Sequence, residues 1–398
     1  MSQLPIATVI IPTYNEVLII EKTVSQLISV FSQIKKWQMQ ILVVDDTSPD
    51  KTAKKVQDLQ KQYSNLYLLI KKKKEGLGAA YLKGMHYAFD QLHSSVIFQF
   101  DADLSHDPTK IPLFLKEIEN GSEMVIGSRY IPGGSIPKDW GLHRKLLSKV
   151  GNLAIRTILT NFTLTDWTTG YRAIKKHVFE TIAPEMTGQR FSGYTFQIGF
   201  LYKAVQNKFK ITEIPFHFVD RQIGKSKMGP EYIFNNLIFL TKIRLLELLN
   251  SRIFKFALVG GVGAVVQLGS LQLYRQLLPQ FNFGLFSSYL LASVLSIETA
   301  IVSNFILNNS WTFADRQLSK TSIPSKFIQF NLASAGSLLI QLIIATMGEQ
   351  FIGLKHLFVL PMINFSIDTG LVFAVTGILI GMFWNFFAYN FFIWKKKQ

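Results

Sequence analysis

The hydrophobic positions divide the chain into two halves with different patterns. Before about residue 251, short apolar runs are separated by charged residues, whereas from Ile253 onward long apolar stretches carry few charges. Short apolar runs between polar segments are typical of buried strands and amphipathic helices, and long uninterrupted runs are typical of membrane helices. The sequence therefore predicts an α/β domain followed by an all-α transmembrane domain.

Four apolar stretches in the second half are long enough to span a membrane. They cover residues 253–277, 286–307, 327–347 and 371–394. Each approaches or exceeds the ~20 residues that the hydrocarbon core of a bilayer requires. Four such runs in succession are unusual in a soluble helical bundle, so we predict four membrane helices.

A weak internal repeat relates these stretches to one another. Residues 304–313 (NFILNNSWTF) parallel residues 385–394 (NFFAYNFFIW), and a Lys-Phe pair begins both the first stretch, at Lys255, and the third, at Lys326. The repeat predicts two similar helical hairpins.

Polar segments follow three predicted strands of the first half. They are Pro12 to Glu16, Val43 to Asp46 and Phe100 to Asp103. Open α/β sheets bind ligands in a crevice beyond the carboxyl ends of their strands. The alternate residues Asp101 and Asp103 can direct two carboxylates at one point, which suits a divalent cation that bridges the phosphates of a nucleotide. The three segments together predict a nucleotide-sugar site.

Composition and charge narrow the choice of partners. The 398 residues include no cysteine, which excludes disulfides, thiolate zinc sites and a cysteine nucleophile. The formal net charge is +16, and many basic residues lie where a membrane surface is expected, including Lys395 to Lys397. Anionic lipid headgroups and acidic phosphate substrates account for this excess, and no nucleic-acid-binding module is recognisable. We predict a membrane partner and no nucleic-acid partner.

Two segments have the pattern of helices that lie in the headgroup region of a membrane. Residues 230–252 carry apolar and basic residues at helical spacing, and residues 140–158 place basic residues among leucines. We therefore expect an α/β domain at 1–229, interfacial helices or a linker at 230–252, and the transmembrane domain at 253–398.

Loop charges predict the orientation in the membrane. The connection after the second apolar stretch carries Arg316, Lys320 and Lys326, and the carboxyl tail is triply basic. This connection and the carboxyl tail are both expected to be cytosolic because basic loops favour that side. The amino terminus lacks a signal-peptide pattern, so the α/β domain is expected in the cytosol as part of a multi-pass membrane protein.

These motifs carry a resemblance to a known family. The first 230 or so residues resemble family 2 glycosyltransferases of GT-A fold, most closely the dolichyl-phosphate or polyprenyl-phosphate mannose synthases. Beyond the three polar segments, the matching motifs are Gly76-Leu-Gly78, Gly127-Ser-Arg129, Arg144, residues 166–172 (DWTTGYR), and Arg221 followed by Lys227. The membrane half resembles GtrA-like four-helix domains, whose members are linked to the handling of lipid-linked sugars.

The resemblance implies a set of site residues. Binding of the donor nucleotide sugar is assigned to Pro12, Tyr14, Glu16, Val44, Asp46, Asp101, Ala102, Asp103, Arg129, Arg221 and Lys227. The acceptor phosphate is assigned to Arg129, Arg144 and Arg221, and the catalytic residues are Asp103, Arg129, Arg221 and Lys227. A divalent cation, magnesium or manganese, is assigned to Asp101, Asp103 and Ser105. Ser105 stands where similar synthases often have glutamine, which leaves the metal affinity and preference open.

The implied function is transfer of mannose from GDP-mannose to a dolichyl or polyprenyl phosphate on the cytosolic membrane face. A lipid monophosphate is already anionic at neutral pH, so a direct, inverting displacement needs no general base. Two alternatives stay open. The sugar donor is undecided because no residue distinguishes guanine from uracil on physical grounds. One is glucose transfer from UDP-glucose; the other is a flippase role for the membrane half, in which we hypothesise that Glu298 binds or moves a lipid-linked headgroup.

Overall fold

A computed structural model describes residues 4–186, 195–220, 230–283, 286–353, 355–360 and 365–395. The chain divides into two compact units, Met1–Arg244 and Leu245–Gln398. This division falls within helix α8 (Pro230–Asn250). The domain limits expected at residues 229 and 252 stay a prediction.

A seven-stranded mixed sheet forms the centre of the first unit. Its strands are β1 (Ile6–Thr13), β2 (Gln38–Asp45), β3 (Leu66–Ile70), β4 (Val96–Gln99), β5 (Met124–Ser128), β6 (Arg172–Lys175) and β7 (Ile211–Pro215). The order across the sheet is β3-β2-β1-β4-β6-β5-β7, in which β6 is antiparallel to both neighbours and the other pairs are parallel.

Helices cover both faces of this sheet. They are α1 (Ile20–Phe31), α2 (Thr52–Gln60), α3 (Leu77–Asp90), α4 (Ile111–Glu119), α5 (Leu142–Ile158), α6 (Lys176–Ile182) and α7 (Thr195–Gln206). Successive residues of a strand point to opposite faces, so Ile10 packs in the core beneath α3, α6 and α7, while Val9 and Ile11 pack in the core beneath α1, α2 and α4. The predicted α/β class is confirmed.

The strand order creates a crevice at the carboxyl ends of β1 and β4. The chain runs from β1 outward to β2 and β3, then returns to place β4 on the other side of β1. The register pairs Ile10 with Gln99, and the Phe100 amide donates to the Ile10 carbonyl at 3.1 Å. The segments that follow β1 and β4 therefore leave the sheet side by side, at the switch point where such sheets bind ligands.

The second unit consists of helical hairpins. After α8, the Ser251 hydroxyl accepts a hydrogen bond from the Phe254 amide and caps α9 (Arg252–Leu277). The other long helices are α10 (Ser288–Leu307), α11 (Ile323–Phe351) and α12 (Thr369–Ala388). α9 packs against α10, and α11 packs against α12. Among the residues that the structure describes, four helical segments are long and apolar enough to cross a membrane: Arg252–Leu277, Leu291–Thr312, Ile323–Ile352 and Val375–Ile393. The four predicted membrane helices are confirmed.

The internal repeat has a structural counterpart. α10 and α12 each continue into one π-helix of 5 residues, Asn308–Thr312 and Tyr389–Ile393, at matching positions of the repeat. The two residues that follow these π-helices, Phe313 and Trp394, stack with ring centroids 4.7 Å apart and an interplanar angle of 4°. Each hairpin also has a short antiparallel strand pair between its helices, β8 (Asn282–Phe283) with β9 (Phe286–Ser287), and β10 (His356–Leu360) with β11 (Phe365–Asp368). The sequence pattern did not indicate these strands.

Candidate active site

The predicted donor-binding segments meet at the carboxyl edge of the central sheet. Pro12 pairs with Val44 in the register of β1 and β2. Tyr14 follows β1, Asp46 follows β2 and Asp101 follows β4. Because these are adjacent parallel strands, their polar end segments share one edge. The fold thus brings together three segments that are far apart in sequence.

Each of these segments turns sharply just beyond its strand. Asn15, Thr47 and Leu104 have φ values of 59°, 59° and 60°, in the left-handed region. Threonine and leucine rarely adopt this conformation, and such residues concentrate at ligand-binding sites. No sequence signal such as glycine marked Thr47 or Leu104 as a turn.

The loop after β1 is held by the start of α2. The Glu16 amide donates to the Thr52 hydroxyl at 3.0 Å, and the Val17 amide donates to the Asp50 carboxylate at 3.1 Å. Burial raises the pKa of Asp50, but hydrogen bonds from Thr52 and Val17 outweigh that effect and leave this pKa below its ordinary value. On the same loop, the Tyr14 ring lies under the Lys74 ammonium, 3.6 Å from its centroid.

Asp46 is buried and fixes the loop that precedes α3. Its carboxylate lies 2.6 Å from the Lys71 Nζ and accepts hydrogen bonds from the amides of Glu75 and Gly76. Lys71 begins a run of four lysines, a pattern typical of a solvated loop, yet its side chain is only 1% exposed. In this arrangement Asp46 positions the Gly76 loop, and direct contact of Asp46 with a nucleotide stays a prediction.

The loop after β4 presents the two predicted metal-binding carboxylates. Asp101 accepts a hydrogen bond from the Tyr81 hydroxyl at 3.2 Å, and Asp103 accepts one from the Ser105 amide at 3.1 Å. Between them, the Ala102 carbonyl accepts from the Thr23 hydroxyl of α1 at 2.6 Å. Burial, followed by the nearby Asp101, raises the pKa of Tyr81 well above its ordinary value. Tyr81 therefore stays a neutral donor to Asp101.

His106 holds this loop in place through the Asp101 backbone. Its Nδ1 accepts the Asp101 amide at 3.1 Å, and its ring stacks on Tyr171 with centroids 4.8 Å apart. The side chain is buried, and this desolvation lowers the pKa of His106 despite the nearby carboxylates. A neutral imidazole with an acceptor Nδ1 is what the Asp101 amide requires. No sequence pattern indicated this role beyond the position of His106 after Ser105.

Fully or largely buried arginines lie beside the sheet edge. Arg129 forms a two-pronged ion pair with Asp166, with both distances at 2.7 Å, and its Nη2 also donates to the Thr168 hydroxyl at 2.6 Å. Burial alone would lower the pKa of Arg129, but Asp166 raises this pKa above its ordinary value. Arg172 donates to the carbonyls of Thr169 and Gln197, and burial lowers its pKa to about 9. Both arginines are therefore cationic at neutral pH.

Arg144 lies outside this buried group. Its guanidinium pairs with Asp220 through two contacts of 2.9 Å and lies 3.8 Å from the Trp140 ring centroid. Trp140 also donates to Asp220 at 2.7 Å. The next predicted phosphate ligands, Arg221 and Lys227, lie outside the described residues. Phosphate binding by these basic residues stays a prediction.

The donor set of the β4 loop fits a hard divalent cation. Within the described ranges, no group of three or more His, Cys, Asp or Glu side chains could hold a metal ion. Mg²⁺ is usually bound through one or two carboxylates together with substrate phosphates and water, not by a complete protein cage. Asp101 and Asp103, whose carboxylate accepts the Ser105 amide, match that mode of binding.

A cavity of about 410 Å³ opens at the opposite edge of the sheet. Val96, which begins β4, lines it, together with Trp37, His93, Lys175 and His177. Asp101 follows the other end of β4, so this cavity is separate from the predicted donor site.

Two protein-family models match the chain. The model for glycosyl transferase family 2 covers residues 8–183, and the model for the GtrA/DPMS transmembrane domain covers residues 255–394. The first contains all three polar segments at the sheet edge, and the second contains all four candidate membrane helices except the first three residues of the first helix. The α/β fold, the acidic loop after β4 and the transmembrane unit together define a membrane-bound glycosyltransferase.

Curated relatives extend this assignment over most of the chain. The dolichol-phosphate mannosyltransferase of Pyrococcus furiosus is 32% identical over 354 residues, which cover 88% of this chain and 92% of that protein. The polyprenol monophosphomannose synthase of Mycolicibacterium smegmatis is 37% identical over 222 residues, or 56% of this chain and 80% of the relative. The chain therefore belongs to glycosyl transferase family 2, in the form that carries a GtrA/DPMS transmembrane domain.

Solved structures give a more distant likeness. A Pyrobaculum calidifontis mannosyltransferase in complex with GDP-Man and Mn²⁺ has a TM-score of 0.39 and 16% identity, covering 76% of this chain and 88% of that one. Glucosyl-3-phosphoglycerate synthase of Mycobacterium tuberculosis has a TM-score of 0.44 and 16% identity, over 60% of this chain and 80% of that one. At these scores the likeness carries no functional argument.

Proposed function

We propose that the protein transfers mannose from GDP-mannose to a dolichyl or polyprenyl phosphate. The observation that carries this proposal is the Pyrococcus furiosus relative, which is 32% identical along both units and whose name states mannosyl transfer to dolichol phosphate. The Micrococcus luteus relative, an undecaprenyl-phosphate mannosyltransferase, is 32% identical over 233 residues and adds support for the same reaction.

The donor diphosphate belongs at the loop after β4. Asp101 and Asp103, helped by Ser105, would hold a magnesium or manganese ion, which supplies positive charge for the leaving diphosphate. The hydrogen bond from Tyr81 and the tight turn at Leu104 keep the two carboxylates in place. Such preorganisation reduces the rearrangement needed when a charged donor binds.

The nucleoside belongs in the crevice between the ends of β1 and β2. Pro12 and Val44 are paired at that edge, and Tyr14 and Glu16 continue from β1. Tyr14 offers an aromatic face, and the carboxylate of Glu16 is suited to accept hydrogen bonds from base or ribose donors. Asp46 contributes by holding the loop at Gly76 through buried contacts.

The acceptor needs cationic groups and no general base. A lipid monophosphate is anionic at neutral pH, so its oxygen attacks directly once two phosphate-bearing substrates are held together. Arg129 is the best positioned described candidate because Asp166 fixes its Nε and Nη2. Among the described residues, its Nη1 makes no hydrogen bond. Arg144, Arg221 and Lys227 complete the proposed set of phosphate ligands.

The stereochemistry follows from a single displacement. The acceptor oxygen bonds to the anomeric carbon while the bond to the diphosphate oxygen breaks, and the electron pair leaves with the diphosphate. One in-line displacement inverts the anomeric centre, so an α-linked donor gives a β-linked lipid product.

The first unit has a surface suited to contact with a membrane. Helix α5 exposes Leu142 at 82%, Leu146 at 60% and Val150 at 51%, spaced four residues apart on one side. Lys145 and Lys149 stand beside them on this helix. An exposed apolar row with lysines is typical of a helix that lies in the headgroup region. We assign the membrane contact of the catalytic unit to this face, on the cytosolic side.

A transfer assay tests the proposed function. The purified full chain is incubated with radiolabelled GDP-mannose or UDP-glucose, a polyprenyl phosphate and Mg²⁺ or Mn²⁺, and label is counted in the lipid phase. Label from GDP-mannose is expected, and it should be lost in Asp103→Asn but kept in Asp90→Asn, which removes an exposed carboxylate at the end of α3.

Other outcomes redirect the proposal in defined ways. Label from UDP-glucose alone would replace mannose by glucose. Equal transfer by the wild type and Asp103→Asn would contradict the assigned donor site. An absence of transfer from either donor would contradict the synthase proposal.

A further inference from the structure

A groove of about 480 Å³ lies on the membrane unit between α11 and the carboxyl-terminal part of α12. Its lining residues include Lys326, Gln329, Leu332, Ala333, Trp384 and Phe392. This volume is within the range of sites that hold small molecules. Lys326 is the charged residue of the lining, and most of the wall is apolar. The groove therefore has the composition of a site for an amphiphile.

The apolar wall faces outward from the helical pair. Leu332 is 68% exposed, Phe392 is 72% exposed and Trp384 is 46% exposed. α11 and α12 both belong to candidate membrane spans, so these side chains meet hydrocarbon when the helices are inserted. The Trp384 indole is fixed because its Nε1 donates to the Ala333 carbonyl at 3.1 Å.

Lys326 is held at one end of the groove. Its Nζ donates to the Gln329 Oε1 at 2.9 Å and to the Phe392 carbonyl at 2.7 Å. An ammonium group has three donors, so one remains for another acceptor. Both partners are neutral, and no described carboxylate lies within ion-pair distance of Lys326. A fixed positive charge that pairs with no described carboxylate favours an anion at this position.

The same end of the membrane unit is strongly basic. Antiparallel packing brings the starts of α9 and α11 together with the ends of α10 and α12, as the contact of Arg316 with the Trp394 carbonyl at 3.2 Å shows. Arg252, Lys320 and Lys395 are at this end too. Asp315 is one acid at this end, and Arg252 and Arg316 already pair with it. Anionic headgroups are attracted to such an end.

The internal repeat shows that this arrangement belongs to the second hairpin. The positions that correspond to Lys326, Trp384 and Phe392 in the first hairpin are Lys255, Ser303 and Trp311. The Lys255 Nζ lies 5.8 Å from the Trp311 ring centroid, whereas the Lys326 Nζ donates to the Phe392 carbonyl. The two equivalent lysines thus have different surroundings.

We propose that this groove binds an anionic phospholipid of the surrounding bilayer. Its phosphate contacts Lys326, and one acyl chain lies along Leu332, Trp384 and Phe392. The apolar wall favours a lipid over a free phosphate ion, because only a lipid covers exposed hydrocarbon and neutralises Lys326 together. The lining of this groove includes none of the residues assigned to the donor or acceptor sites of the proposed transferase reaction.

Lipid retention by the full chain tests the proposal. The protein is equilibrated with equal amounts of phosphatidylglycerol and phosphatidylcholine in detergent, and bound lipid per protein is measured by native mass spectrometry. The wild type is expected to retain phosphatidylglycerol preferentially. Lys326→Gln is expected to retain about fivefold less, as for the loss of about 1 kcal/mol per basic residue at an anionic surface. Lys320→Gln, which removes an exposed lysine at the same end, is expected to match the wild type.

A second pair of variants tests the apolar wall without changing charge. Leu332→Ala is expected to lower retention, whereas Leu338→Ala, at a 59% exposed position of α11 outside the groove lining, is expected to leave it unchanged. Equal retention of both lipids by the wild type would overturn the proposal. So would equal losses in the two lysine variants, or displacement of the lipid by millimolar inorganic phosphate, which would indicate a free-anion site.

Discussion

The hydroxyl group of Tyr81 donates a hydrogen bond to the Asp101 carboxylate, with 3.2 Å between the two oxygen atoms. Tyr81 lies on α3, and the residues just before this helix, Glu75 and Gly76, donate their amides to Asp46. Helix α3 and the two residues before it thus contact both acidic groups at the carboxyl edge of the sheet. The position of α3 sets the geometry of the proposed donor site.

Removal of the Tyr81 hydroxyl should weaken cation binding. Tyr81→Phe keeps the ring and its packing but leaves Asp101 without this donor. Loss of an outer hydrogen bond to a metal ligand typically costs 10–100-fold in metal affinity or activity. We expect the Mg²⁺ concentration for half-maximal transfer to rise about tenfold. Tyr87→Phe, on the same helix, is the matched control and should leave it unchanged. An unaltered Mg²⁺ dependence in Tyr81→Phe would show that the contact does not position Asp101.

Neutralisation of Asp46 should destabilise the first unit. Asp46→Asn leaves the buried Lys71 ammonium without its partner at 2.6 Å. Removal of one member of a buried ion pair costs about 3–5 kcal/mol, so the apparent midpoint of thermal unfolding should fall by several degrees. Asp58→Asn removes an exposed partner of Lys61 and should change the midpoint little. Equal midpoints for the two variants would contradict the structural role assigned to Asp46.

Packing of α3 against the sheet depends on Gly84. A Cβ atom at this position would lie 2.8 Å from Ile10 Cγ2 and 2.9 Å from Val44 Cγ2. Gly84→Ala therefore forces α3 away from β1 and β2 and should cost about 1–3 kcal/mol, with a loss of donor binding. Gly151→Ala places its Cβ in open space on α5 and should be neutral or stabilising. Full donor affinity in Gly84→Ala would contradict the dependence of the site on α3.

Acid should release the loop after β1. The pKa of Asp50 is lowered from 3.8 in the folded protein, so the unfolded chain takes up a proton at this group more readily. The stabilisation is present above pH 3.8 and is lost as the pH falls through the lower folded value. In a pH series of thermal unfolding, Asp50→Asn should lose less stability than the wild type on the acid side. Parallel curves for both proteins would exclude this contribution.

The sequence was most informative where local patterns determine structure. The apolar run that ends at Phe100 predicted a strand followed by the acidic loop, and β4 with Asp101 and Asp103 has that arrangement. The lengths of the apolar stretches predicted the four membrane helices in the same way. In both cases neighbouring residues carry the signal, because strand and membrane-helix patterns are properties of a short window.

Local sequence patterns did not predict contacts between segments that are distant in the chain. Lys71 begins a run of four lysines, which is typical of a solvated loop, but the pairing of β2 with β3 brings its side chain against the buried Asp46. The sequence motif predicted that the Arg129 guanidinium binds substrate phosphate. In the fold, two of its nitrogens donate to Asp166, which is 37 residues away. Such pairs depend on strand order and register, which the sequence pattern did not specify.

Nucleotide binding tests the central claim most directly. Isothermal titration of the full chain with GDP-mannose, with and without Mg²⁺, measures whether the carboxyl edge of β1 and β4 forms a cation-dependent donor site. We expect binding that requires Mg²⁺, is lost in Asp103→Asn and is retained in Asp90→Asn. Binding of equal affinity without the cation, or in Asp103→Asn, would contradict the account.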